Sequence, residues 1–231
     1  MKIYSNDKLI KRNHRLGNIF SISALVILGV GMYLSYKMAT DLTKVIISYA
    51  CLIGGFLIFQ MGTFFLNRWG RSPRPDEILS QSLKGLDDKY TLYHYMTPLS
   101  HLLVGPGGVA VLLPYGQKGI LRYDENKKEW KQYGGNWFLK VFGQEGLGRP
   151  TSEAKYNQED LERYLSRIGA DINTVKPFTL LVFTNDDVKI EGKGSPVEFV
   201  AAAKLKDYLR KKGKENPIDV ERVVELIGIK E

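Results

Sequence analysis

Val104–Gly119 reads VGPGGVAVLLPYGQKG: a glycine-rich turn, an apolar run from Val109 to Leu113, and a second turn opened by Pro114-Tyr115. An apolar, partly β-branched run between two turn signals predicts a buried strand. Gly105–Gly108 (GPGG) precedes that strand, whereas a phosphate-binding loop needs helix N–H groups behind its glycines. It reads as a hairpin turn. Strands placed like this one often carry an enzyme's acids to the rim of a sheet. This run ends in Leu112, Leu113, Pro114 and Tyr115 and brings none.

Outward from it, aromatic and β-branched composition predicts strands at Tyr90–Tyr95 and His101–Val104 before the run. Gly119–Tyr123 and Glu129–Tyr133 follow, in an antiparallel meander. Apolar spacing predicts a helix over Asp76–Leu86, with Pro75, Asp76 and Glu77 as start signals, and another over Pro150–Ile168. Phe178–Thr184 is the most apolar strand and reads as central. A short strand at Val197–Val200, a helix near Ala203–Lys212 stopped by Gly213, and a helix at Ile218–Ile227 complete the order. The pattern implies an α/β (mixed α+β) domain over residues 76–231, a mixed sheet covered by helices.

The first third differs. Ile19–Tyr36 runs 18 residues and Val45–Leu66 runs 22 without a charge; as helices they span roughly 27 and 33 Å, membrane length. With the short linker 37–44 they predict a two-span transmembrane hairpin. Small pairs at Gly31/Ser35 and Ala50/Gly54 are candidates for close backbone approach. A basic N-terminus (1–18) precedes the hairpin and a linker (67–75) follows it. Residues 1–74 hold ten Lys and Arg against two acids, which accounts for the whole net charge of +8; the rest carries 23 of each sign. The positive-inside rule then places both termini in the cytoplasm of a multi-pass protein of the cell membrane, with the bilayer as partner of residues 19–66. The excess charge reflects topology rather than a phosphate-binding patch. The single cysteine, Cys51, excludes an intrachain disulfide and a thiolate metal cluster.

Other groups carry weaker signals. His94 and His101 fall on neighbouring predicted strands and His14 before the first span; without spaced acids or cysteines, partly exposed structural roles suit them better than metal ligation. Lys204, Lys206, Arg210, Lys211, Lys212 and Lys214 form a basic run that could meet anionic lipid or nucleic acid, or simply complement a helix C-terminus. Asp186-Asp187 could hold a divalent cation or form a polar turn.

Four stretches together resemble the NERD (nuclease-related) domain, a branch of the restriction-endonuclease-like fold. They are DEILSQSLKGLDDKYTLYHY (76–95), LSHLLVGPGGVAVLLPYGQKG (99–119), GRPTSEAKYNQEDLERYL (148–165) and FTLLVFTNDD (178–187). The resemblance covers roughly Asp76–Leu209 and is anchored by the strand, GPxG turn and GVxV strand. It implies a divalent-metal phosphodiesterase centre with a first-helix Glu, an Asp before the second strand's His, a Glu-x-Lys ending the third strand, and a polar residue on the next helix. Carboxylates would hold Mg²⁺ at the scissile phosphate and the lysine would orient water. Here Glu77 stands at the first-helix position and Glu153 at the polar helix position. Ser100 replaces the Asp, Leu113 the Glu and Tyr115 the Lys. Leucine cannot ligate a metal, and tyrosine offers no cationic amine near neutral pH.

Three readings follow. The first is a membrane-anchored, catalytically degenerate domain acting in binding or scaffolding, with no catalytic residues and no cofactor. In the second, an active nuclease with a relocated site uses Glu77, Glu153 and Lys118 with Mg²⁺ or Mn²⁺. The third is a membrane or protein interaction module with no nucleic-acid role. Nucleic acid as a partner rests on the resemblance alone, and no protein partner is indicated.

Overall fold

The computed structural model describes residues 1–37, 42–134, 146–215 and 217–228. Parts of the predicted linker 37–44 and of the glycine-rich loop 143–148 lie outside them. The chain forms two compact units.

One unit is a helical hairpin of α1 (Asp7–Lys37) and α2 (Leu42–Trp69). Both helices are longer than the uncharged runs and are apolar enough to cross a membrane, with only 11% of either apolar window buried. A core helix of a globular domain would be mostly covered; here Ile22, Leu25, Met32, Ile53 and Leu57 stand exposed. The helices meet along small residues seven apart: Gly17, Ala24 and Gly31 on α1, and Ser48, Gly55 and Gly62 on α2 are all buried. Ser48 Oγ donates to the Gly31 carbonyl at 2.7 Å. This corrects the expected four-residue pairs. Gly31 faces α2 through Cys51 and Leu52, but nothing lies within 4 Å of a side chain built at Gly54. A period of 3.5 residues keeps one stripe on the partner helix along its whole length, which four-residue steps cannot.

The other unit holds Met1–Asn6 and the chain from Pro75 onward. Its main sheet runs β1 (Lys2–Ser5), β2 (Thr91–His94), β3 (His101–Gly105), β4 (Gly108–Tyr115), β7 (Pro177–Phe183), β9 (Glu198–Ala201). β2, β3 and β4 pair antiparallel; β1 joins β2, and β7 joins β4 and β9, in parallel. β4 and β7 are buried on both faces, which explains their unbroken apolar runs. Ala110 and Leu112 meet α3 (Pro75–Ser82), the turn after it and α6 (Leu205–Glu215) through Leu79, Leu83, Leu205 and Leu209. Val109 and Val111 meet α4 (Pro150–Arg167) and α7 (Val220–Ile227) through Leu161, Leu165, Val223 and Ile227. The expected mixed sheet flanked by helices is what forms. A one-turn α5 (Ile172–Val175) precedes β7.

Three expectations change. The meander is not continuous: β5 (Gly119–Asp124) and β6 (Glu129–Tyr133) leave the main sheet and form a second one, β6-β5-β8, with the unpredicted β8 (Val188–Glu191). Both edges of β4 are already paired, with β3 and β7, so the next strand has no place in that ladder. β1 was also unpredicted, because four residues before a long helix carry no alternation signal. Finally, α6 runs through Gly213 instead of stopping there. That glycine packs against Pro106 of the GPGG turn, where a side chain would come within 3.2 Å.

Candidate functional site

The GPGG segment is a β-hairpin turn, and each glycine has a steric reason. A Cβ at Gly105 would reach the Tyr90 ring at 2.5 Å, one at Gly107 the Gly213 backbone at 3.0 Å, and Gly108 adopts φ 124 against the Lys176 carbonyl. The turn is spent on packing between strands and α6, with no helix N-terminus behind it.

Downstream, β4 delivers Leu113 and Tyr115 to the end of the sheet opposite Leu181 and Phe183 of β7. Leu113 is half-buried between the cluster under α4 and an aromatic cluster of Tyr115, Tyr123, Trp130 and Phe183. Tyr115 is 6% exposed. Its hydroxyl donates to Glu153 Oε2 at 2.6 Å. Burial, reinforced by this hydrogen bond and by the nearby carboxylate, pushes the Tyr115 phenol well above its ordinary value. It is a fixed neutral donor, without the positive charge of the lysine the resemblance implies.

Of the sequence-predicted site residues, the structure thus joins Tyr115 and Glu153, with Leu113 two residues before Tyr115 on the same face of β4. Ser100, just before β3, accepts the Tyr95 amide through its carbonyl at 2.8 Å. Glu77 lies half-buried in the first turn of α3, the helix on the other face of the sheet from the Glu153 helix. Lys118 is exposed in the turn after β4. Among the described residues, no group of three or more His, Cys, Asp or Glu could hold a metal ion. Where Tyr115 and Glu153 meet, a cation would find a leucine and a carboxylate already taken by a phenol, with Glu77 on a helix across the sheet. The set does not fit Mg²⁺ or Mn²⁺.

Another polar group was underrated from sequence. His94 and His101 are cross-strand partners, 1% and 3% exposed, not partly exposed as expected. Their Nδ1 atoms are 2.9 Å apart, and His94 Nε2 lies 2.9 Å from Ser80 Oγ of α3. Asp76, one turn before Ser80, is the buried acid of that helix. The seven-residue spacing around the turn at 95–100 was the available signal, since it makes the two histidines neighbours if the hairpin pairs in register.

The basic run is largely committed to structure. Lys206 and Arg210 donate to the carbonyls of Lys84 and Gly85, just beyond α3, at 3.1 Å each. Lys212 grips Glu198 at 2.6 Å and lies 3.9 Å over the Phe178 ring. Lys204, Lys211 and Lys214 remain exposed. Asp186-Asp187 forms an exposed turn, with the Asp187 amide on Asn185 Oδ1 at 2.9 Å. A hollow of about 870 Å³ lies elsewhere, between Leu86, Tyr90, Pro106, Arg210 and Ile218, and contains none of the positions that the resemblance singles out. No family model, curated protein or solved structure matches this chain.

Proposed function

We propose that this is a membrane-anchored, nuclease-related domain that binds or scaffolds at the cytoplasmic face of the cell membrane and does not cut nucleic acid. The observation that carries the reading is the Tyr115–Glu153 hydrogen bond beside Leu113: where the resemblance implies a Glu-x-Lys, a leucine stands and a buried phenol occupies Glu153. The order α3, three antiparallel strands, α4 and a parallel strand is compatible with the restriction-endonuclease-like scaffold. The likeness to NERD domains rests on the sequence motifs.

Two features support anchoring on one side. α1 and α2 have membrane length and bare apolar surfaces. β1, before α1, is hydrogen-bonded into the same sheet as the chain after α2. If both helices cross a bilayer, the two ends of the hairpin lie on one side, and the basic flanks select the cytoplasm. Cleavage after α1, as in a signal peptide, would remove a strand of the sheet and half of the helix pair.

Full-length protein in detergent micelles, incubated with Mg²⁺ or Mn²⁺ and either plasmid or linear DNA, tests the reading. The expected result is no cleavage. Metal-dependent cleavage abolished by Glu77→Ala would establish the relocated-site alternative instead.

A further inference from the structure

His94 is a junction in the domain. Its carbonyl accepts the amide of Asn6, the last residue before α1, at 3.0 Å. Asn6 Nδ2 also donates to the Tyr95 carbonyl at 3.2 Å. Through its ring, His94 reaches Ser80 of α3, the first helix after α2, and His101 of β3. The segments by which the chain enters and leaves the hairpin are thus both tied to one residue. All of these contacts lie within the sheet-bearing unit.

The ring contacts restrict how many protons this junction can hold. Two nitrogens 2.9 Å apart attract only when one carries hydrogen and the other presents a lone pair. A neutral pair meets that condition with one Nδ1–H and one bare Nδ1. A pair with one extra proton meets it too, as N⁺–H···N. With both rings protonated, two N–H groups face each other in a site that water barely reaches, and the contact must open. Among the groups facing the pair are Ser80 from α3, where Asp76 and Glu77 are the acids of the first turn, and Tyr95, whose ring is 4.9 Å from that of His101. No neutral side chain substitutes for this behaviour, because imidazole alone changes charge between about pH 5 and 8 without perturbation.

We propose that His94 and His101 form a proton-counting latch: with zero or one extra proton it ties α3 to β2 and β3 through the His94 ring, and a second proton releases α3. The latch itself rests on the histidine geometry. Its bearing on a membrane anchor rests on the reading of α1 and α2 as spans.

The test uses the full chain, ¹⁵N-labelled at histidine, in phosphatidylcholine–phosphatidylglycerol nanodiscs, followed by NMR from about pH 8 to about pH 5. At the alkaline end, one ring should be protonated and the other bare at Nδ1, with a coupling across the N–H···N bond. On acidification that coupling should survive the first proton and vanish with the second. At that step, amide exchange in residues 78–82 and 92–94 should rise about tenfold. Histidines that titrate independently, or exchange that does not change when the coupling is lost, would overturn the latch. His101→Gln should lack the step. Should that variant fail to fold, Ser80→Ala is the second arm: the coupling should persist while residues 78–82 no longer respond. If Ser80→Ala still shows their response, the tie through His94 is wrong. Protease protection of the same nanodiscs reports separately on the spans, so an inserted hairpin without the step defeats the latch alone.

Discussion

At the scale of single residues, Tyr115 and Leu113 hold most of the functional argument. Tyr115→Phe keeps the ring in its aromatic cluster and deletes the donor to Glu153. It should lower the domain's stability by about 1 kcal/mol, read as a reduced thermal midpoint. Leu113→Glu installs the acid that the resemblance implies but places a charge among Leu181 and the aromatic cluster, and should cost about 3 kcal/mol or more. A smaller loss for Leu113→Glu than for Tyr115→Phe would mean that the end of β4 is polar. The identities of Ser100, Leu113 and Tyr115 are read directly from the sequence, and their standing in place of catalytic groups is what the resemblance implies. The Tyr115–Glu153 bond was not legible there, since it joins residues 38 apart through a strand–helix contact. The burial of His94 and His101 was hidden for a related reason: period-two alternation says which face a residue takes, not how thickly that face is covered.

At the scale of elements, the hairpin helices are distinguished by which glycines they use. Gly62 lies against the Ser21 backbone, where a Cβ would come within 2.9 Å of the amide nitrogen, and Gly54 faces open space. Gly62→Ala should therefore separate the helices and cost about 1–3 kcal/mol, while Gly54→Ala should cost nothing. The thermal midpoint of the detergent-solubilised protein distinguishes the two, and equal effects would remove the seven-residue seam. Existence of both helices could be read from composition; their seam could not, because glycine is common on every face of an apolar helix. β5 and β6 make the same point. Their strand character was visible, but their membership of a second sheet depends on β7 occupying the edge of β4, a pairing between residues 68 apart, as Val109 with Pro177.

At the scale of the whole molecule, acid should weaken the second sheet. A hydrogen bond from Lys131 holds Asp124 below the usual carboxylate range, and one from Arg122 does the same for Glu191. Folding therefore favours their ionised forms, and the stability they add is fully present above their unfolded values near pH 4. It disappears as pH falls through the lower folded values. Thermal midpoints recorded between about pH 5 and about pH 2 should fall, and Lys131→Met should flatten the fall. An unchanged slope in that variant would show that the Lys131–Asp124 pair adds nothing measurable.

The pairing of β1 with β2 also imposes an order of events. Asn6 and Tyr95 are 89 residues apart in sequence, so the strand synthesised first must wait roughly 4 to 18 s for its neighbour, at about 5–20 residues per second. Throughout that interval the ribosome is producing the hairpin. If α1 and α2 enter a bilayer as they emerge, Lys2–Ser5 can close the sheet edge only after both have gone in and the chain has returned. A hairpin with only one helix inserted would leave β1 and β2 on opposite sides of the bilayer and the edge of β2 uncovered. The first four-residue strand of the chain would then certify, at the end of biogenesis, that both helices had crossed.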